Sequence, residues 1–203
     1  YTYDITVSNV SGTKTDMVVF DHLDMGAEDL ANTGGVFDEN RWKGSFAGVV
    51  TTGLTQAGVA PTIYYNEDPQ AKTAADSETP LLVLTEENGW YTSEKWEASG
   101  KTNADVQSVA VDMSRGVTGD AFKLEDTSSV TFQIKMTSPS EVSEGKAYNA
   151  AQVYSVDDGA GASYTVSDAA EVSLDLEKQF ELVKEFAGEI PAVVRDNAFV
   201  FTL

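Results

Sequence analysis

Two kinds of side chain in this sequence could do chemistry by type and spacing: clustered carboxylates and loop-borne aromatics. Asp157 and Asp158 precede Gly159, and Asn66, Glu67 and Asp68 lie shortly before Asp76 and Glu78. Calcium draws its shell of about six to eight oxygens from loops of this type. Neither loop has EF-hand spacing, so Asp157 and Asp158 are the candidate calcium site, and no other cofactor is expected. Trp90, Tyr91 and Trp96 form the second group. Flat aromatic faces can stack on sugar rings, whereas a tryptophan beside a loop more often caps the edge of a core.

Other chemistry is excluded by what the chain lacks. There is no cysteine, which removes disulfides, thiolate metal sites and cysteine nucleophiles. His22 is the single histidine, so a multi-histidine metal centre cannot form. No Gly-x-Ser-x-Gly elbow accompanies it, and no glycine-rich phosphate loop precedes a helix. A glycosidase needs two carboxylates facing each other across a cleft. With 33 acidic residues, chance pairs carry no weight. The sequence is therefore read as that of a protein that is not an enzyme.

The same acids set the surface. Against 13 basic residues they give a formal net charge of −20. Such a surface repels phosphate backbones and anionic bilayers, so neither nucleic acid nor a membrane is an expected partner. Apolar runs reach only four residues, as at 17–20 and 81–84, too short to span a bilayer. No export or wall-anchoring signal is visible, so an exported parent is expected to be longer than this chain.

The elements that must position these residues read as strands. Tyr3, Ile5 and Val7 alternate with polar neighbours, Asn9 to Lys14 is a polar turn with Gly12, and residues 17–20 follow as a second strand. Further strand candidates are residues 62–65, 81–85, 109–113, 130–137, 147–156 and 163–176, separated by turn clusters. Long acidic loops fall at 25–40 and 66–79. This pattern predicts an all-β antiparallel sandwich or barrel with long loops, residues 3–23 forming its opening hairpin. The expected core is Tyr3, Ile5, Val7, Val109, Val111, Phe132, Ile134 and Val153. Composition changes after Leu176. Leu176, Phe180, Val183 and Phe186 fall at helical spacing, Gly188 and Pro191 interrupt it, and residues 198–203 read as a strand. Residues 1–176 are thus taken as the sandwich. Residues 177–203 are a connector and the first strand of a following module, or a strand that closes the sandwich.

The order of motifs resembles an immunoglobulin-like repeat family of Gram-positive cell-wall surface proteins. The pieces are residues 3–9, then Val18-Val19-Phe20-Asp21-His22-Leu23 and Trp42-Lys43-Gly44-Ser45-Phe46. They continue with Thr62-Ile63-Tyr64-Tyr65-Asn66-Glu67-Asp68-Pro69, residues 106–112 and 130–139, and Gly145-Lys146-Ala147-Tyr148-Asn149-Ala150-Ala151. Lys184, with Phe199-Val200-Phe201 beyond it, looks like the entry to a pilin-type module. The resemblance implies an immunoglobulin-like β-sandwich in a stalk or adhesin on the bacterial cell wall. Its partners would be neighbouring modules of the same polypeptide and a host protein or glycan. Relatives join lysine to asparagine in an isopeptide bond assisted by a buried acid. By position Asp21 matches the acid and Asn149 the amide. The first-strand lysine would lie upstream of Tyr1, and Lys14 or Lys135 would be poor substitutes. Lys184 would be the linkage lysine of the next module.

Overall fold

The computed structural model describes residues 1–23, 41–74, 79–141, 145–157, 161–166 and 170–173. Asp76, Glu78, Asp158, Lys184, the helical spacing after Leu176 and the strand at 198–203 lie outside them, as does loop 25–40. Strands are β1 (Thr2–Ser8), β2 (Lys14–His22), β3 (Ser45–Val50), β4 (Thr62–Asn66), β5 (Tyr91–Thr92) and β6 (Ser108–Asp112). They continue with β7 (Ser129–Thr137), β8 (Lys146–Asn149), β9 (Ala151–Asp157), β10 (Gly161–Val166) and β11 (Ala170–Ser173). Among the described residues two short α-helices, α1 (Thr52–Gln56) and α2 (Ser93–Ala98), sit in connections.

The strands build an all-β antiparallel sandwich. One sheet has the order β1-β7-β3, the other β10-β9-β2-β6-β4-β5, and β11 pairs with β8 beside them. The expected opening hairpin does not form. β1 pairs with β7, whereas β2 lies between β6 and β9 in the opposite sheet. Burial explains the separation. In β1 only alternate residues are covered, Tyr3 and Val7 being buried while Thr2, Asp4, Thr6 and Ser8 are exposed. From Met17 onward β2 is buried at every position, and such a strand needs a sheet covered on both faces. The corner between them is held by Asn9. Its buried amide donates to the carbonyls of Gly12 at 2.8 Å and Leu124 at 2.9 Å, and Gly12 adopts φ +68°, which glycine alone takes freely.

Two cores result. Met17 and Val19 face the three-stranded sheet, with Phe132, Ile134, Val109 and Val111. Val18 and Phe20 face outward, under Ala71, Val83, Leu84 and Trp90. The expected strand at 81–85 is instead a 3₁₀ turn, Pro80–Val83. Proline opens such a turn readily, its missing N–H being one that needs no partner there. Val83 and Leu84 are thereby turned down onto β2, and Leu82 is left 71% exposed. The single strand expected at 147–156 breaks at Ala150 into β8 and β9, and that at 163–176 is β10 and β11.

Six of the eight expected core residues are buried. Ile5 and Val153 are only half-buried, because both line a groove that runs between β1 and β9. The phase of β7 is as expected: Ile134 is fully buried, and Gln133 faces away to donate to Asp4 at 2.7 Å. Ile134→Ala is expected to cost about 2–5 kcal/mol through lost transfer energy and a cavity. Gln133→Ala should cost less than about 1 kcal/mol. Urea unfolding of the two variants separates them, and equal losses would contradict the strand phase.

Candidate functional site

Met17, Val19, Asp21 and Leu23 occupy alternate positions, so they share the inner phase of β2. Three of them are core hydrophobics; the fourth is a carboxylic acid, 1% exposed. Across the sheet Asp21 stands opposite Val109 on β6 and Ala151 on β9. Asn149, two residues before Ala151 and 4% exposed, donates from Nδ2 to Asp21 Oδ2 at 2.7 Å. Acid and amide, 128 residues apart in sequence, are thus brought into one buried bond. A hydrogen bond shielded from water in such surroundings is electrostatically stronger than one at the surface. Asn149 also lines a hollow of about 460 Å³ between β1 and β11. The carboxamide carbon is an electrophile, and a neighbouring carboxylate can accept a proton from an attacking amine.

The lysines considered with this pair lie elsewhere. Lys14 is not in a turn: it opens β2 and pairs with Asp157. Lys135 is on the exposed phase of β7. Lys184 lies outside the described residues.

His22 adjoins this pair in sequence but is wired differently. Its Nδ1 is 3.0 Å from the Ser108 hydroxyl, and that hydroxyl donates to the Asp68 carbonyl at 2.7 Å. The serine's single proton is therefore spent, so Ser108 Oγ accepts from His22 Nδ1–H. A serine nucleophile needs the opposite polarity, with imidazole receiving the hydroxyl proton. The arrangement is a structural relay between β2, β6 and the loop after β4.

The aromatic group is a core feature. Trp90 and Trp96 are each 1% exposed. Trp90 Nε1 donates to the Lys72 carbonyl at 2.9 Å and its ring meets Phe20 at 5.6 Å. Trp96, on α2, donates to the Thr102 carbonyl at 3.1 Å. Its helix starts at Thr92, whose hydroxyl accepts from Lys95 N. Lys101 lies over Trp96 at 4.7 Å and Tyr91 at 5.1 Å, and also pairs with Glu67 at 2.7 Å. The protein's own cation thus covers the faces that a sugar ring would take. Sequence reasoning missed Lys101, whose turn position gives no sign of what its chain end reaches.

The acidic loops are likewise committed. Asp157 pairs with the Lys14 ammonium, which opposes a cation at the same oxygen. Asn66 Oδ1 accepts from Asp68 N at 2.9 Å and Asp68 Oδ1 from Gln70 N at 2.8 Å. Among the described residues no three His, Asp or Glu side chains converge as a metal-ligand set. Asp158, Asp76 and Glu78 lie outside the described residues.

No family model matches the chain, and no curated protein matches it. One solved structure, described as "AvmM Catalyzes Macrocyclization in Alchivemycin A Biosynthesis", is 11% identical over 86% of this chain and 80% of its own, with a TM-score of 0.26. A likeness that weak carries no argument about fold or chemistry. Among the described residues no helix is long and apolar enough to cross a membrane.

Two measurements check this geometry. In a double-mutant cycle, Asp21→Ala and Asn149→Ala should each destabilise. The pair together should cost less than the sum by about 1.5–3 kcal/mol; additive losses would mean the bond contributes nothing. Burial raises the pKa of Tyr65 above its ordinary 10.0, with Glu97 adding to the shift. A raised folded pKa means the stabilisation is complete below pH 10.0 and disappears as pH rises through the higher folded value. Tyr65→Phe keeps the ring contacts with Phe46 and Trp96 and should flatten alkaline unfolding; an unchanged profile would contradict it.

Proposed function

We propose that this chain is a non-catalytic structural module of a bacterial cell-surface protein, acting in an extracellular stalk or adhesin. The observation that carries the reading is the buried Asp21–Asn149 bond. It joins parts of the chain far apart in sequence, in the inner core where a cross-link would resist force. It is also the acid–amide pair that the motif order implies for an isopeptide module. The remaining polar candidates are used in holding the fold: His22 on Ser108, Lys101 on two aromatic rings, Asp157 on Lys14.

In that role the chemistry runs once. A lysine of the polypeptide enters beside Asn149 as the neutral amine, Asp21 having taken its proton. The amine nitrogen attacks Asn149 Cγ and the Cγ–Nδ2 bond breaks; Asp21 gives its proton to the departing nitrogen, which leaves as ammonia, and takes up the proton released by the attacking nitrogen as the new amide forms. Burial assists twice, by disfavouring the charged ammonium and by excluding water from the acyl carbon. The product is an internal tie rather than a released molecule, as a stalk requires.

Mass spectrometry of the protein in its native, full-length form tests the proposal. A peptide containing Asn149 is expected joined to one containing lysine, short of one ammonia. Asn149→Ala and Asp21→Ala should both restore the unlinked mass. An unlinked Asn149 peptide in the unaltered protein would overturn the cross-link.

A further inference from the structure

β4 ends at Asn66, opposite Ser108 on β6, and the chain leaves the sheet through Glu67, Asp68 and Pro69. Asp68 to Ala71 is a β-turn with proline at its second position, closed by the Ala71 N–H donating to the Asp68 carbonyl at 3.2 Å. Aspartate followed by proline is an ordinary way to begin such a turn. The turn does not require what else converges on it. Ser108, fully buried, donates its hydroxyl proton to the same carbonyl at 2.7 Å, and its oxygen is held from the other side by His22 Nδ1 at 3.0 Å. Asp68 N donates to Asn66 Oδ1 at 2.9 Å, and Asp68 Oδ1 accepts from Gln70 N at 2.8 Å. The carboxyl group is thereby curled along its own peptide link to Pro69, and its second oxygen carries no hydrogen bond among the described residues. Asp68 and Pro69 are both exposed, so solvent reaches the link from outside while Ser108 holds its carbonyl from within.

We propose that the Asp68–Pro69 peptide bond is a self-cleavage site, cut by its own aspartyl side chain. The nucleophile is Asp68 Oδ2, whose attack on the carbonyl carbon of the same residue closes a five-membered ring. A carboxyl nucleophile splits one difficult step into two, and attack within one residue carries a large effective concentration. As Oδ2 bonds to the carbonyl carbon, the negative charge collects on the carbonyl oxygen. There the Ser108 hydroxyl and the Ala71 N–H are already in place as an oxyanion hole. The bond from that carbon to the Pro69 nitrogen then breaks, and the carboxyl proton passes to the nitrogen, which leaves as a secondary amine. Proline suits this departure, because its amide nitrogen is tertiary and has no N–H tied into the fold. The cyclic anhydride left on Asp68 takes up one water and opens to two carboxyl groups. One peptide bond and one water thus become one carboxyl group and one amine.

The reaction runs once in each chain. Its two products stay together, because Ala71 and Ala74 are buried against the second core and Trp90 Nε1 holds the Lys72 carbonyl at 2.9 Å. Cleavage therefore frees the start of the segment covering Phe20 without dismantling that core. The inference is independent of the cross-link, since it uses neither Asp21 nor Asn149.

The full chain is incubated in mildly acidic buffer, and samples are denatured and their masses measured. Expected are two fragments, residues 1–68 and 69–203, formed at a rate that does not change with protein concentration. That rate should be about 10²-fold higher than in the same buffer with guanidinium added to unfold the chain. Asp68→Ala should abolish the cut, and Ser108→Ala, with its folding checked by an unfolding curve, should remove most of the gain. No cut at this bond, a cut as fast in the unfolded chain, or a rate that rises with protein concentration would each overturn the proposal. A folded Ser108→Ala protein that cleaves at the unaltered rate would do the same. The comparison of folded with unfolded chain needs no variant and decides the matter even if Ser108→Ala does not fold.

Discussion

From Met17 to His22 every side chain of β2 is buried, so both faces of the sheet around it must be covered. The inner face is covered by β1, β7 and β3, whose own outer face can then remain polar. The outer face is covered by the stretch between β4 and β5, which folds into 3₁₀ turns and lays Val83, Leu84 and Trp90 over Phe20. Residues read in the sequence as the end of a long loop and a strand at 81–85 are a lid on the second core. The same constraint draws Asp21 into the inner phase, among Met17, Val19 and Leu23. An acid placed there must be bonded, because a buried polar group without a partner costs about 1–3 kcal/mol. Asn149 supplies a bond.

Much of this was legible in the sequence where alternation was strict. Residues 130–137 and 109–113 have period two, and both sit as strands with the expected inward faces. Pairing was not legible. A polar turn with glycine between two apolar stretches is the mark of a hairpin, and nothing local reveals that Asn9 will bind Leu124 instead. The one hint was that residues 17–20 are apolar without interruption, whereas residues 3–8 alternate. Strands with such different needs do not belong at the same edge of one sheet. The apolar run at 81–84 failed for a related reason: short apolar runs do not distinguish a strand from a turn packed on a core, and Pro80 decided it. At the candidate site, Asp21 and Asn149 were identified by motif order and not by spacing. No pattern within either segment shows that the two meet. Burial of Trp90 and Trp96 follows from covering long apolar stretches, which composition does not report.

The polar candidates weighed for chemistry are engaged with the protein itself. Ser108 gives its proton to a backbone carbonyl while receiving that of His22, the wrong order for a nucleophile. Lys101 lies on Trp96 and Tyr91 and is held by Glu67, combining cation–π attraction with an ion pair at one point. Each of these ties joins segments distant in sequence: β2 to β6, the turn after α2 to the loop after β4 through Lys101 and Glu67, β2 to β9 through Lys14 and Asp157. Exposed ion pairs of this kind stabilise little singly. Their value here is in fixing which segments meet, a task that disulfides perform in many secreted domains and that a cysteine-free chain must do otherwise.

The acid–amide bond and the groove have a common origin in the break at Ala150. Ala151 remains paired with Asp21 in the six-stranded sheet, while Asn149 pairs with Ala170 on β11. Had the strand continued unbroken, residues 146–149 would have stayed in the six-stranded sheet, extending past the end of β2. Because it divides, β8 and β11 peel away as a separate pair, and a space opens between them and β1. Asn149 stands at the point of division, bonded to Asp21 on one side and bordering that space on the other. Its carboxamide thus borders the groove on one side and is shielded by the core on the other. The cost of the division is the incomplete cover of Ile5 and Val153. A sandwich whose sheets separate along one side therefore has its buried acid–amide bond and its groove in one place.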